Sequence, residues 1–272
     1  MEIPFVKLQG NGNDFILIDE MEQETIPDAM KGEFAAQYCD RRFGIGGDGV
    51  LFLQKSTTAD ARMRLFQPDR SEADMCGNGI RCLVKYAVDG EYLRDACKIE
   101  TPAGIIPVRM GYREDRFMAG VAMPAPRFLR EEIPAIGEGE YLEHFDGFDV
   151  RAVNIGVPHA VIVVDNVDAI DLPTIAPRIR HHPTFPKGAN VNFVQKTGER
   201  ALSLRTFERG VEGETFSCGT GASAAAVILH RMGVVGEPVE VETPGGPLTI
   251  NLKDGVVMEG PAETVFWGEI VF

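Results

Sequence analysis

The sequence has no apolar run near the roughly 18 to 20 residues that cross a bilayer. Its amino terminus, MEIPFVKLQG, has no basic segment followed by an apolar stretch. Basic residues are also scarce, since 27 Lys and Arg stand against 41 Asp and Glu, a net charge of -14. Nucleic acids and anionic membranes attract clustered Lys and Arg. The absences therefore predict a cytoplasmic protein with neither nucleic acid nor membrane as a partner.

Cysteine is sparse and widely spaced: five residues, without a CxxC pair that would indicate zinc or the dense pattern of a disulfide scaffold. We expect reduced thiols. No GxGxxG follows a strand-like run and no GKT or GKS is present, so neither a dinucleotide fold nor a P-loop is indicated. With 44% apolar and 25% charged residues, the 272 residues predict a folded chain of about two domains.

What the sequence does contain is an internal repeat. CGNGIRCLVKYAVDGEYLRDACKIETPAG, from Cys76, aligns over 29 residues without a gap with CGTGASAAAVILHRMGVVGEPVEVETPGG, from Cys218, at an offset of 142. Upstream, FGIG and FPKG keep the same offset. A register held from residue 43 to 104 predicts two structurally equivalent halves.

Each half combines strand-like runs, such as DFILIDE, GVLFL and NVNFV, with one strong helical pattern directly after its glycine turn. This combination predicts an α+β fold. The stretch that follows Gly120 is rich in Pro, Gly and Glu and indicates a domain boundary. We predict a first half at 1–118, completed by the carboxyl-terminal strand 264–272, and a second half at 119–263.

The two glycine turns suggest a site that binds an anion beside a reactive thiol. A Gly-x-Gly segment that opens a helix directs backbone N–H groups and the positive end of the helix dipole at an anion. A cysteine at the same turn has its thiolate stabilised. If the halves pack about a pseudo-twofold axis, a ligand between them would meet one sulfur on each side. A base and an acid on opposite faces of one carbon suit stereoinversion at an amino-acid α-carbon.

Alternatives remain open at this point. A single cysteine is more often a small buried apolar residue, and Cys39, Cys82 and Cys97 are interpreted in that way. Duplication alone need not retain both a cysteine and its turn, so Cys76 and Cys218 are predicted to be functional. A different class of function is a redox or binding module in which these two thiols form a regulatory disulfide. Proton exchange at an α-carbon would separate the two hypotheses.

Five motifs resemble the diaminopimelate epimerase family, of the cofactor-independent two-cysteine racemase group: KLQGNGNDF, SEADMCGNGIRC, GVPHAVIVV, GANVNFV and ERGVEGETFSCGTGASAAA. The resemblance implies two pseudo-symmetric domains, each a mostly antiparallel sheet wrapped around a central helix. It also implies interconversion of LL- and meso-2,6-diaminoheptanedioate, in lysine and peptidoglycan-precursor biosynthesis, with no pyridoxal phosphate, other cofactor or metal. A homodimer and a small-molecule amino-acid substrate with two carboxylates are implied as partners.

Residue roles follow from the same resemblance. Cys76 and Cys218 would be the base and the acid, and His159 and Glu208 would engage the substrate amine and support the thiols. Arg209 would pair with the distal carboxylate. The residues implied to bind substrate are Asn13, Gln67, Gly77, Asn78, Asn190, Glu208, Arg209, Gly219 and Thr220. Read singly, Asn13 could be a turn former, Asn190 a strand cap, Glu208-Arg209 a solvated pair and His159 a loop histidine.

Two positions depart from the usual family pattern. Gln67 stands where an asparagine is common, and Val157 stands where Asn-Pro-His is often seen. Glutamine keeps an amide one atom further out, whereas valine cannot hydrogen-bond through its side chain. The reaction type is therefore better indicated than the substrate, and a racemase of the same fold acting on another amino acid is the alternative.

Overall fold

The structure, a computed structural model, describes residues 2–271 and divides into two compact units. Unit 1 comprises Met1–Val121 and Gly260–Phe272, and unit 2 comprises Ala122–Glu259. Within the described range, each helix is too short or too polar to cross a bilayer.

Unit 1 contains nine strands, two α-helices and one 3-10 turn among its described residues. They are β1 (Glu2–Gly10), β2 (Asn13–Glu20), the 3-10 turn Asp28–Met30, α1 (Lys31–Tyr38), β3 (Gly49–Gln54), β4 (Ala61–Phe66), β5 (Glu72–Ala73), α2 (Gly77–Asp89), β6 (Ala96–Thr101), β7 (Gly104–Arg113), β8 (Arg116–Ala122) and β18 (Glu263–Val271).

The elements from residue 142 to 261 repeat that order. They are β9 (Leu142–Phe145), β10 (Phe148–Asn154), β11 (Pro158–Val163), the 3-10 turn Val167–Ala169, α3 (Leu172–Arg180), β12 (Asn190–Gly198), β13 (Ala201–Glu208), β14 (Gly213–Thr215), α4 (Gly219–Arg231), β15 (Val239–Thr243), β16 (Gly246–Asn251) and β17 (Val257–Pro261).

Strand pairing is the same in the two units. In unit 1, β2/β3 and β4/β6 are parallel, whereas β1/β2, β3/β4, β4/β5, β6/β7 and β7/β8 are antiparallel. In unit 2 the parallel pairs are β11/β12 and β13/β15. The antiparallel pairs include β10/β11, β12/β13, β13/β14 and β15/β16. The predicted equivalence of the two halves is therefore confirmed, as is the mostly antiparallel α+β fold.

One helix lies at the centre of each unit. The helix α2 contacts β1, β2, β3, β4 and β18, and α4 contacts β10, β11, β12, β13, β15 and β16. Nine residues of each helix are buried, so both helices are enclosed on most sides. Because the sides of such a helix are packed against the sheet, it can present polar groups to a ligand only at an end. In both helices the amino-terminal end carries the cysteine turn.

The smaller helices α1 and α3 cover the opposite face of each sheet. Phe34 of α1 packs in an apolar cluster with Ile16, Ile18 and Phe52. In unit 2, Leu172 and Ile179 of α3 join a corresponding cluster with Phe193. Strands covered on both faces have few polar positions, which explains why GVLFL is buried throughout. Neither α1 nor α3 has a strong helical pattern in the sequence.

Candidate active site

The Cys76 turn, residues 76–79, begins α2. Cys76 is the N-cap residue, with extended backbone angles (φ -141°, ψ 113°), and its sulfur accepts a hydrogen bond from the backbone N–H of Gly79 at 3.4 Å. A Cβ on Gly79 would lie only 3.2 Å from Leu51 Cδ2, so the helix packs closely on β3 at this point. The half-buried thiol therefore lies at the positive end of the helix dipole.

Asn13 lies directly beside this turn. Its Oδ1 accepts from Asn78 Nδ2 at 3.3 Å, and the Cys76 sulfur lies 3.8 Å from the same oxygen. The Nδ2 of Asn13 donates to Asp48 Oδ2 at 2.5 Å. Three residues that the sequence predicts for the site are thus brought together in unit 1, and Asp48 is a fourth that sequence reasoning missed.

A charged network holds Asp48 and its neighbour Asp14. Arg41 donates to both carboxylates of Asp14 and Asp48, and Lys7 forms an ion pair of 2.6 Å with Asp14. Burial opposes ionisation of Asp14, but the hydrogen bonds and charges of Arg41 and Lys7 outweigh it and lower the pKa of this carboxyl. Asp48 follows the repeated FGIG segment, and the repeat pointed to the segment without identifying its carboxylate.

Gln67 lies in the exposed turn that follows β4. Its Oε1 accepts from Ser71 Oγ at 3.1 Å, and its backbone N–H donates to the Ser71 carbonyl at 2.9 Å. The described contacts of the side chain therefore lie within its own turn. A substrate-binding role for Gln67 stays a prediction.

The Cys218 turn, residues 218–221, begins α4 in the same way. Cys218 is the extended N-cap residue (φ -119°, ψ 101°), is 5% exposed, and has its sulfur 3.4 Å from Thr220 Oγ1. A Cβ on Gly221 would overlap the side-chain oxygen of Asn192, so glycine is required here for the helix to approach β12. Each unit thus presents a cysteine at the amino-terminal end of its central helix.

The strand register of unit 2 places the other residues predicted for the site at one edge of its sheet. His159 of β11 pairs with Asn190 at the start of parallel β12, and Val191 pairs with Phe207 near the end of antiparallel β13. Glu208 ends β13, so it lies at the same edge. The equivalent edge of unit 1 is formed by the starts of β2 and β3 and the end of β4, which place Asn13, Asp48 and Gln67.

Asn190 ties three of these strand ends together. Its Oδ1 accepts from the backbone N–H of Arg209 at 2.7 Å, and its Nδ2 is 3.4 Å from the Pro158 carbonyl. Arg209 is half-buried, and burial followed by the charge of Arg180 lowers the pKa of its guanidinium. Glu208 accepts a hydrogen bond from Thr215 Oγ1 at 2.9 Å. The Asn190 amide therefore fixes the backbone from which Arg209 projects.

His159 is fully buried, and its Nδ1 lies 3.1 Å from the side-chain amide of Asn192, a residue that sequence reasoning also missed. Burial, followed by the nearby charge of Arg209, lowers the pKa of His159 to about 3. The ring is therefore neutral at ordinary pH. No sequence signal identified Asn192, because a polar residue within NVNFV fits an ordinary strand.

The buried ring makes a prediction about stability. Because the unfolded state gains a proton near pH 6.5 while the folded state resists protonation to about 3, stability should be lost as pH falls below 6.5. Between about pH 7 and about pH 5 the loss due to this ring is roughly 2 kcal/mol. Urea titrations should show that His159→Gln lacks this part of the slope, whereas the exposed-site control His144→Gln retains it. Equal slopes for wild type and His159→Gln would contradict the prediction.

Known proteins resemble this chain over nearly its full length. The model of the diaminopimelate epimerase family matches residues 5–124 and 151–265. A diaminopimelate epimerase of Methanothrix thermoacetophila is 56% identical over 271 residues, covering 99% of this chain and 96% of the relative. One of Methanocella arvoryzae is 51% identical over 273 residues, covering 99% and 97%.

Solved structures share the fold at low sequence identity. The crystal structure of a Bacillus anthracis phenazine biosynthesis protein of the PhzF family superposes with a TM-score of 0.71 and 19% identity, covering 100% of both chains. At this identity the likeness concerns the two-unit architecture alone.

Proposed function

Because the chain belongs to the diaminopimelate epimerase family, we propose that it interconverts LL- and meso-2,6-diaminoheptanedioate, in lysine and peptidoglycan-precursor biosynthesis. The observation that carries the proposal is the duplication of one device: each unit presents a cysteine as the N-cap of its central helix. One fixed thiol can act on only one face of the carbon. Two thiols can remove a proton from one face and deliver one to the other, as inversion of a stereocentre requires.

In the proposed step, the thiolate of one cysteine takes the α-proton, so the C–H bond breaks and an S–H bond forms. The electron pair left on carbon delocalises into the adjacent carboxylate. The thiol of the other cysteine then delivers its proton to the opposite face of the carbon and becomes the thiolate. Cys76 and Cys218 therefore exchange roles with the direction of reaction, and the thiol chemistry needs no pyridoxal phosphate or metal.

The α-proton of an amino acid is weakly acidic, so the developing charge on the carboxylate must be stabilised. Gly77 and Asn78 supply backbone N–H groups at the start of α2, and Gly219 and Thr220 supply them at the start of α4. The first N–H groups of a helix have no partner within the helix and lie at the positive end of its dipole. Donors aimed at developing charge lower the barrier most when they are already in place.

The second amino-acid centre of the substrate does not react and serves for recognition. We assign its carboxylate to Arg209, whose planar guanidinium suits bidentate pairing. The side-chain amides of Asn190, Asn13 and Gln67 are assigned to hydrogen bonds with the substrate. Glu208 is assigned to the substrate ammonium group. Val157 offers no side-chain hydrogen bond, so recognition of the distal end rests more heavily on Arg209.

The assay is direct. Purified protein should convert LL-2,6-diaminoheptanedioate to the meso isomer, measured by chiral chromatography, with a chelator present and no pyridoxal phosphate added. A thiol reductant keeps both cysteines in the assay as thiols. Turnover of proline, hydroxyproline or histidine with none of the diaminodicarboxylate would favour a racemase of other specificity. Absence of inversion for every substrate would overturn the proposal.

We propose a homodimer as the assembled form. The strand β18 exposes three consecutive apolar side chains, Val265 (54%), Phe266 (42%) and Trp267 (72%), the last being the single tryptophan of the chain. Consecutive residues of a strand point to opposite faces, so both faces of β18 are apolar and open. Exposed large apolar side chains of this kind are typical of a protein interface, and a second copy of the chain is the proposed occupant.

Trp267→Lys should therefore shift the protein from dimer to monomer in sedimentation velocity. The control Tyr112→Lys alters another aromatic residue of unit 1, 63% exposed, and should leave the dimer intact. Dilution of wild type should shift the emission of Trp267 to longer wavelength as the indole becomes wet. A monomeric wild type, or a dimer in both variants, would contradict the proposed interface.

We also propose a cytoplasmic location. All five cysteines are free thiols in the structure. Two of them are proposed catalysts that must stay reduced, and reducing compartments maintain such thiols. Fractionation with a redox-sensitive label tests this location.

A further inference from the structure

Asn192 is a fully buried polar residue in the middle of an apolar sheet. It lies on β12, two residues after the partner of His159, and it pairs across the antiparallel ladder with Thr206 of β13. Buried amides are retained where all their hydrogen bonds are satisfied, since an unsatisfied one costs stability. The partners of this amide therefore carry information about its role.

The orientation of the Asn192 amide follows from the Ala160 carbonyl. One side of the amide lies 3.0 Å from the carbonyl oxygen of Ala160, which can only accept, so this side is the NH₂ group. The other side accepts from the hydroxyl of Thr206 at 3.0 Å and is the oxygen. The Thr206 hydroxyl is compatible with this orientation, and the opposite one would set the amide oxygen against the Ala160 carbonyl oxygen.

The state of His159 follows in turn. The same NH₂ group lies 3.1 Å from His159 Nδ1, so Nδ1 must offer a lone pair and carry no proton. In a neutral imidazole the proton then belongs to Nε2. The fully buried ring is held neutral by desolvation, as its depressed pKa indicates.

The Nε2 atom of His159 is buried and has no hydrogen-bond partner among the residues that the structure describes. A buried N–H without an acceptor is costly, and such groups often serve a ligand. An N–H requires an acceptor. A carboxylate oxygen or a thiolate sulfur can accept, whereas an ammonium group can only donate.

The Asn192 amide is also held against the Cys218 turn. A Cβ on Gly221 would overlap Asn192 Oδ1 and would lie 3.2 Å from Thr206 Oγ1. The corresponding glycine of unit 1, Gly79, meets a carbon of Leu51 instead. Asn192 and Thr206 thus lie under the start of α4, in the unit that carries His159. The Asn192 side chain links this histidine to the proposed catalytic turn.

We propose that Asn192 is a positioning residue that holds His159 in the Nε2–H tautomer, so that the ring donates a hydrogen bond to an anionic acceptor in the catalytic site. The acceptor is a substrate carboxylate or a catalytic thiolate, and it is not the substrate ammonium that sequence reasoning assigned to His159. The role in catalysis rests on the proposed epimerase function, whereas the tautomer does not.

Nitrogen NMR of ¹⁵N-histidine-labelled full-length protein tests the tautomer. The His159 signals are identified by their loss in His159→Gln. The expected wild-type ring has Nε2 protonated and Nδ1 unprotonated. In Asn192→Asp the carboxylate should draw a proton to Nδ1, whereas Thr206→Val should keep the wild-type tautomer, because the Ala160 carbonyl still orients the amide. A protonated Nδ1 in wild type, or an unchanged ring in Asn192→Asp, overturns the proposal.

Substrate titration shows which of the two anions, the substrate carboxylate or a catalytic thiolate, accepts the hydrogen bond from His159. Addition of diaminopimelate should shift the Nε2–H resonance of wild type. A shift that persists in both Cys76→Ala and Cys218→Ala identifies the substrate carboxylate, and loss of the shift in one variant identifies that thiolate. No shift in any of the three proteins would contradict a donor role.

Kinetics then test the link to catalysis. Asn192→Asp should lower kcat roughly 10²-fold, while Thr249→Val, which removes a buried hydroxyl bonded to Glu240, should keep wild-type kcat. Wild-type kcat in a folded Asn192→Asp variant would refute the positioning role. If wild type has the Nε2–H tautomer but no epimerase activity, the proposed function fails and the tautomer assignment stands, so the two failures are distinguishable.

Discussion

Replacing either Cys76 or Cys218 with alanine is expected to lower kcat for stereoinversion by a factor of about 10³ or more, because each variant lacks one of the two proposed proton-transfer groups. The reason for expecting equal severity is the equivalence of the two units. Each cysteine is the N-cap residue of its central helix, and each stands beside the backbone donors proposed to hold the reacting carboxylate. Chiral chromatography of the product measures the loss in both directions of reaction.

The chain supplies matched controls for the loss of a thiol. Burial raises the pKa of Cys39 and of Cys82 to about 12, so neither is a thiolate at assay pH. Cys39→Ala and Cys82→Ala should therefore retain kcat within about threefold while losing some stability. Full activity in Cys76→Ala or Cys218→Ala would contradict the two-thiol mechanism. Inactivity of all four variants would indicate that folding, and not proton transfer, is being measured.

Arg209→Met is expected to lower kcat/KM for diaminopimelate by a factor of roughly 10³, because the proposed bidentate, charge-assisted pair is lost and the distal carboxylate must lose water without compensation. The backbone N–H of Arg209 donates to Asn190, so the chain from which the guanidinium projects is fixed. Since the distal carboxylate stays bound throughout the reaction, most of the loss should fall on KM.

Two comparisons isolate the charge pair. Arg178→Met alters an arginine of the same unit that is 64% exposed and ion-paired with Asp146, and it should leave kcat/KM unchanged. A substrate analogue that lacks the distal carboxylate should react slowly with wild type and equally slowly with Arg209→Met. If Arg209→Met keeps wild-type kcat/KM for diaminopimelate, recognition of the distal end lies elsewhere, and the proposed substrate loses its main support.

The sequence was sufficient for the repeat and what depends on it. The gapless match from Cys76 and Cys218 predicted equivalent halves, and the pairing of strands confirms them down to the positions of the parallel pairs. The glycine turns predicted helix starts, and α2 and α4 begin at Gly77 and Gly219. Local rules succeed here because a helix start depends on neighbouring residues alone.

Features that depend on register could not be predicted in this way. Asp48 and Asn192 contribute through side chains that reach an adjacent strand, so their roles follow only from which residues lie opposite each other. The helices α1 and α3 were also not predicted from the sequence. The helix α3 contains Pro177 in its interior, which argues against a helix on local grounds, and it is stabilised instead by packing of Leu172 and Ile179 on the sheet.

In the proposed two-thiol mechanism a proton leaves the α-carbon and another returns to its opposite face. Incubation of LL-2,6-diaminoheptanedioate with wild-type protein in deuterated water, followed by mass spectrometry of the meso product, tests it most directly. We predict one deuterium at the inverted α-carbon of the meso product, and no inversion with Cys76→Ala or Cys218→Ala. Meso product that keeps the original α-hydrogen would contradict the two-thiol mechanism.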